Sequence, residues 1–107
     1  MRFDDLLHDV DLVITGEGCI DGQSVFGKAP IGIAARAKKH NIPVVAMAGI
    51  MGQGAEAVYQ HGIDSIMVTV NRTMGLDEAL ARSVELFRDA SDRMFRMLKV
   101  GMCLNGE

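Results

Sequence analysis

Three short apolar stretches recur along the chain, at residues 11–15, 43–48 and 65–70, and helical spacing follows each of them. Asp11-Leu12-Val13-Ile14-Thr15, Pro43-Val44-Val45-Ala46-Met47-Ala48 and Ser65-Ile66-Met67-Val68-Thr69-Val70 show no alternation of polar and apolar residues. Continuous apolar runs of this length fit strands buried on both faces, which is the signature of a parallel sheet. Strands that alternate with helices are joined by right-handed crossovers into such a sheet. The order predicts βαβαβα, a three-layer, Rossmann-like α/β fold.

The punctuation agrees with this order. Residues 3–9 read as a helical turn leading into the first strand. Pro30 suits the first turn of a helix, where its missing N–H has no partner to lose, and that helix runs to His40. Asn41 can take the left-handed position after its end. Pro43 stands at the first residue of the second strand, where proline does least harm. Ala55 to His61 reads as two helical turns closed by Gly62, and the last helix as residues 76–98. For that helix Gly75 is a permissible N-cap, with Glu78 three residues on. Leu76, Leu80, Val84, Phe87, Met94 and Leu98 form its expected buried stripe. Glu78–Arg82, Asp89–Arg93 and Asp92–Arg96 are i,i+4 pairs on the other side, and the tail from Gly101 reads as frayed.

Size raises a difficulty. A chain of 107 residues is one domain at most, and a free-standing sheet of three parallel strands leaves two unpaired edges. The expectation is a piece of a larger α/β domain, or a chain whose edges a partner covers. A net charge of -3 with no basic run argues against a nucleic-acid partner. One Tyr, four Phe and no Trp leave little for base stacking. Cys19 and Cys103 are too few for a disulfide framework. No apolar run reaches the roughly 20 residues of a membrane span and no signal peptide is recognisable, so a soluble, cytoplasmic protein is expected.

In parallel sheets ligands bind beyond the carboxyl ends of the strands. There this chain places Gly16 to Ala29, Gly49 to Gly54 and Asn71 to Gly75, which hold nearly all its unusual polar chemistry. The first connection combines four glycines, two carboxylates, an amide, a hydroxyl and a lysine, far more than a plain link needs. Glycines allow close backbone approach, and a helix start favours an anion, so the first inference is a phosphate or carboxylate site. Gly22 to Ala29 nearly spells a P-loop. However, Ala29 lacks the hydroxyl for magnesium, and the expected strand ends about six residues too early for a loop that leaves its strand directly.

The longer pattern Asp-Leu-Val-Ile-Thr-Gly-Glu-Gly-x-Ile-Asp-Gly-Gln-Ser-x-x-Gly-Lys-x-Pro at 11–30 resembles the type-1 glycerate kinase family. Pro-Val-Val-Ala-Met-Ala-Gly at 43–49, the run from Gly54 to Asp64 and Leu-Asp-Glu-Ala-Leu at 76–80 carry the same resemblance. It implies that residues 1–107 are the C-terminal part of a Rossmann-like domain, about the last third of a typical member. It also implies transfer of the γ-phosphoryl of ATP to D-glycerate with Mg2+, in concert with the remaining N-terminal part of the kinase. Cys19 departs from the family, which more often looks basic there.

Phosphoryl transfer asks for positioning and charge neutralisation, which suggests roles. Lys28 would neutralise the phosphoryl group or the glycerate carboxylate. Glu17 and Asp21 would hold Mg2+ or accept the substrate hydroxyl's proton, with Glu17 also among the substrate-binding residues. Gln23 and Ser24 would fix substrate hydroxyls, with Gly22 and Gly27 beside them. Each has a plainer reading: an Asx-turn for Asp21 and loop-internal hydrogen bonds for Gln23 and Ser24. Gly49, Gly52 and Gly54 either cradle nucleotide phosphates or only permit a tight turn. His40 and His61 suit helix ends, His8 and Arg72 read as solvated, Cys19 as a passive thiol, and the methionines as core filling. A homo-oligomer stays open. The alternative function is a non-catalytic ligand-binding or assembly module on the same fold, inactive alone.

Overall fold

The computed structural model describes residues 6–27 and 29–104, apart from the side chain of Ala29. It contains strands β1 (Val13–Ile20), β2 (Val44–Met51) and β3 (Ser65–Val68), and helices α1 (Ala29–Lys39), α2 (Leu76–Ala81) and α3 (Ser83–Leu104). Three 3-10 turns, Leu7–Asp9, Gly22–Phe26 and Ala55–His61, complete the order. The sheet is parallel, in the order β1-β2-β3. Two compact units divide the chain, residues 1–67 and 68–107.

In the first unit β2 is the central strand, and Val44 to Ala48 are all buried. Its inner face, Val44, Ala46 and Ala48, joins Ile20, Ala34, Ala37, Ile42, Val58 and Ile63 in one apolar cluster. Alanines at 34 and 37, fully buried, let α1 lie close to the strands. Two-sided burial holds for β2 but not for β1, where Ile14 is 39% exposed. An edge strand has a neighbour on one side only, so its outer residues lack cover.

Both β1 and β2 run further than the expected strands, which end at Thr15 and Ala48. The expected first strand stops at Thr15, yet pairing continues through Glu17↔Ala48 and Cys19↔Ile50 to Ile20↔Met51. Backbone pairing, not side-chain hydrophobicity, sets the strand's length here. Five residues assigned to the first connection are therefore strand. Gly49 lies within β2, where a Cβ would come 3.0 Å from the Gly18 carbonyl oxygen. β3 is shorter than expected and ends at Val68.

The expected helix stop is present. Asn41 has φ 57, and the Ile42 and Asn41 N–H groups close on the carbonyls of Ala37 and Lys38 at 3.0 and 3.1 Å, a Schellman closure. Gly62, at φ 98, stops the Ala55–His61 turn in the same left-handed region. Asp64 then links three segments, because its Oδ2 accepts from Lys38 Nζ and from the Val44 N–H.

The second unit departs from the expected single helix. Arg82 interrupts it at φ -104, ψ 19, although the Arg82 and Leu86 N–H groups still bond to the carbonyls of Glu78 and Arg82. The expected buried stripe holds only at Met94. Leu76, Leu80, Val84, Phe87 and Leu98 are exposed, and the buried residues of α3 are Leu86, Ala90 and Met94. This helix carries apolar residues on more than one side, and residue type alone does not tell which side is covered. The three i,i+4 ion pairs are present, but Gly75 caps α2 without a side-chain hydrogen bond. The tail is helical to Leu104 instead of frayed. Among the described residues no helix is long and apolar enough to cross a membrane.

Asp64 gives a stability test. Partial burial would raise its pKa, but the hydrogen bonds from Lys38 and Val44 and the ammonium charge outweigh that and hold it below its ordinary 3.8. A lowered carboxyl stabilises the fold above its unfolded pKa and stops doing so as the pH falls through the folded value. Asp64→Ala is expected to lower unfolding free energy by about 1 kcal/mol at pH 7. Urea titrations at a series of pH values should show the difference from wild type narrowing below 3.8.

Candidate active site

The first connection begins where β1 ends. Ile20 is buried and anchors the chain, and Asp21 turns it into the Gly22–Phe26 3-10 helix. Asp21 and Ser24 cap this helix reciprocally. Asp21 Oδ1 accepts from the Gln23 N–H at 2.9 Å, and Ser24 Oγ accepts from the Asp21 N–H at 3.0 Å. A cap of this kind satisfies donors that a helix start leaves open. Val25 packs against the core cluster while Phe26 stays 80% exposed.

The second connection crosses directly under the first. The Gly52 N–H donates to the Ile20 carbonyl at 2.7 Å, and the Gly22 N–H to the Gln53 carbonyl at 2.9 Å. A Cβ on Gly52 would meet the Asp21 Cβ at 2.9 Å, and one on Gly54 would lie 3.1 Å from the Gly22 Cα. Gly54 also has φ 81, a conformation few side chains tolerate. The two connections therefore interlock backbone to backbone, and Gly22, Gly52 and Gly54 have a packing reason to be glycine.

This crossing changes what the loop can offer a ligand. The N–H groups of Gly22, Gln23, Ser24 and Gly27 are all bonded within the two connections, the last two to the carbonyls of Asp21 and Ser24. An amide cradle for an anion is thus not formed by these four groups. The polar groups left over are on side chains: exposed Gln23, the Ser24 hydroxyl as donor, and the second oxygen of Asp21. That oxygen, Oδ2, has the Cys19 thiol 4.0 Å away as a weak donor.

The structure brings together Asp21, Gly22, Gln23, Ser24 and Gly27 with Gly52 and Gly54. Glu17 sits half-buried inside β1 opposite Ala48, and Gly49 inside β2. Lys28 lies outside the described residues. Residues 71–75 belong to the second unit, where Arg72 pairs with Glu78 and Asn71 donates to Asp89 at 3.0 Å. Glu78 and Glu85 flank Arg82 as ion-pair partners. The residue missed by sequence reasoning is Gln53, whose contribution is a main-chain carbonyl that no side-chain pattern signals.

Among the described residues no group of three His, Cys, Asp or Glu side chains is gathered to hold a metal. Mg2+ commonly needs only one or two carboxylates, completing its octahedron with water and substrate phosphate. Asp21, beyond the end of β1, offers one such carboxylate, while Glu17 lies inside the strand, about 13 Å of extended chain away, so the two expected Mg2+ ligands are not gathered at one point.

Two interlocked connections carrying carboxylate, amide and hydroxyl groups thus stand at the carboxyl edge of a parallel sheet, the edge at which α/β proteins bind their ligands. Comparison with known proteins is specific. The model of the glycerate kinase family matches residues 1–99. The glycerate kinase of Halalkalibacterium halodurans is 52% identical over 90 residues, which is 84% of this chain and 24% of that protein. The glycerate 2-kinase of Escherichia coli K12 is 40% identical over 102 residues, 95% of this chain and 27% of that protein. A crystal structure described as a glycerate kinase 2 from Salmonella typhimurium LT2 superposes with a TM-score of 0.65 at 37% identity, covering 92% of this chain and 25% of that one. The chain belongs to the glycerate kinase family and spans about a quarter of the length of the curated relatives it matches.

The capping role of Asp21 is separable from its charge. Asp21→Ala is expected to destabilise the chain by about 1 kcal/mol in urea unfolding, because the Gln23 N–H loses its acceptor. Asp21→Asn keeps an acceptor oxygen and should stay within about 0.5 kcal/mol of wild type.

Proposed function

We propose that this chain forms one side of the active site of an ATP-dependent glycerate kinase, with the remaining portion of such an enzyme supplying the other. The observation that carries this reading is the convergence of Asp21, Gln23 and Ser24 on the carboxyl edge of the sheet, in a chain of this family. Exposed apolar residues on β1 and α3, such as Ile14 and Val84, are consistent with surfaces that further polypeptide covers.

The chemistry follows from charge and position. D-glycerate brings a carboxylate and two hydroxyls; Gln23 and Ser24 would hold hydroxyls, and Lys28 would face the carboxylate or the transferring phosphoryl group. Asp21 Oδ2 would accept the proton of the attacking hydroxyl as its oxygen bonds to the γ-phosphorus and the bond to the β-phosphate oxygen breaks. Alternatively a Glu17 or Asp21 carboxylate would hold Mg2+ in place of that proton-accepting role, and the ion would neutralise charge on the nucleotide phosphates. The ordered cap fixes the Asp21 carboxylate before substrate arrives, so little reorganisation remains for the transfer step.

The test is a chimaera in which this chain replaces the matched quarter of the Halalkalibacterium halodurans enzyme. It is expected to phosphorylate D-glycerate with ATP and Mg2+, and Lys28→Ala should lower kcat/KM by at least about 100-fold. Unchanged kinetics would remove Lys28 from the site. A folded, ligand-binding but inactive chimaera would favour the non-catalytic module.

A further inference from the structure

Gly52 has the closest contact of any glycine in the described chain. A methyl group there would sit 2.9 Å from the Asp21 Cβ and 3.7 Å from Asp21 Oδ2, with the Ile20 carbonyl oxygen at 3.6 Å. The Asp21 Cβ cannot swing aside as the tip of a long side chain can, because the backbone carries it. That backbone is itself fixed on both sides: the Gly52 N–H holds the Ile20 carbonyl, and Ser24 Oγ holds the Asp21 N–H. Asp21 Oδ1 is committed to the Gln23 N–H, so the carboxylate can rotate little without breaking the cap. Oδ2 remains as the oxygen available for chemistry, and it lies 3.7 Å from where a Cβ on Gly52 would stand.

We propose that Gly52 is a positioning residue, setting where Asp21 Oδ2 stands by leaving the space into which the Asp21 side chain settles. This rests on the glycerate kinase reading for its catalytic consequence, though not for the contact itself. Gly54 supports the same arrangement from the next step along, through its left-handed φ of 81 and its approach to the Gly22 Cα at 3.1 Å. On this view the second connection serves as a template for the first. A glycine that met nucleotide phosphate directly would act on ATP binding instead.

The contact is tested on the chain itself by amide hydrogen exchange. Gly52→Ala is expected to speed exchange at Gln23 and Ser24 at least about tenfold while Ala46 and Ala48 in β2 keep their protection. Gly32→Ala, on α1 with nothing within 4 Å of the new methyl, should leave all four unchanged. Unaltered exchange at Gln23 and Ser24 in Gly52→Ala would overturn the proposal. If Gly52→Ala does not fold, the double variant Asp21→Gly/Gly52→Ala, which lacks the Cβ that the methyl meets, should fold; failure of both also overturns it. The catalytic consequence is read in the chimaera as a double-mutant cycle. Gly52→Ala should lower kcat and leave the KM for ATP unchanged, and added to Asp21→Asn it should cause no further loss. Independent losses that multiply, with a raised KM for ATP, would mean that Gly52 meets the nucleotide and would overturn the proposal. A chimaera inactive before any substitution counts against the kinase reading, and the exchange comparison then decides the positioning role.

Discussion

Two loops can cross within backbone contact only where the crossing positions carry no side chains, and this limit organises the carboxyl edge of the sheet. Gly22, Gly52 and Gly54 meet there, joined by the hydrogen bonds Gly22 N–H to Gln53 carbonyl and Gly52 N–H to Ile20 carbonyl. The crossing forms because β1 and β2 run in register as far as Ile20 and Met51 and deliver both connections to one place. From it follow the direction of Asp21, the closed 3-10 turn and the side chains left facing outward. A looser crossing would leave the Asp21 carboxylate free to sample many positions, which suits neither proton transfer nor charge neutralisation.

The interlock also resolves what the glycine-rich character of the first connection means. Glycines near a strand end invite a phosphate-cradle reading, and the near P-loop spelling at Gly22 to Ala29 strengthens it. Yet the N–H groups of Gly22, Gln23, Ser24 and Gly27 are consumed by hydrogen bonds within and between the two connections. Gly22, Gly52 and Gly54 serve packing between the connections, whereas a Cβ at Gly16 or Gly18 would meet nothing within 4 Å. On the proposed reading, the carboxylate that enters the chemistry is the one this loop's own cap holds, Asp21.

Much of the fold was legible because the succession of strands and helices along the chain, the helix stops and the i,i+4 pairs are local signals. Asn41 and Gly62 take left-handed conformations for reasons visible in their residue types. The ends of β1 and β2 were not legible, since pairing between distant segments carried them through Gly16, Gly18 and Gly49. The covered side of α3 was hidden for a related reason: it is apolar at Leu86, Ala90 and Met94 and also at Val84, Phe87 and Leu98. At the site, residues 21–24 stood out as a group, and the plainer Asx-turn reading of Asp21 describes its Oδ1. What no sequence pattern shows is that Gly52 lies against Asp21.

The central claim is that the interlocked connections form a ligand-binding surface. A crystal structure of the chimaera with D-glycerate and a non-hydrolysable ATP analogue tests it most directly. Density for the glycerate against Asp21, Gln23 and Ser24, with the two connections still crossed at Gly22 and Gly52, is the predicted result. Glycerate bound elsewhere in the enzyme, with these side chains facing bulk solvent, would contradict it.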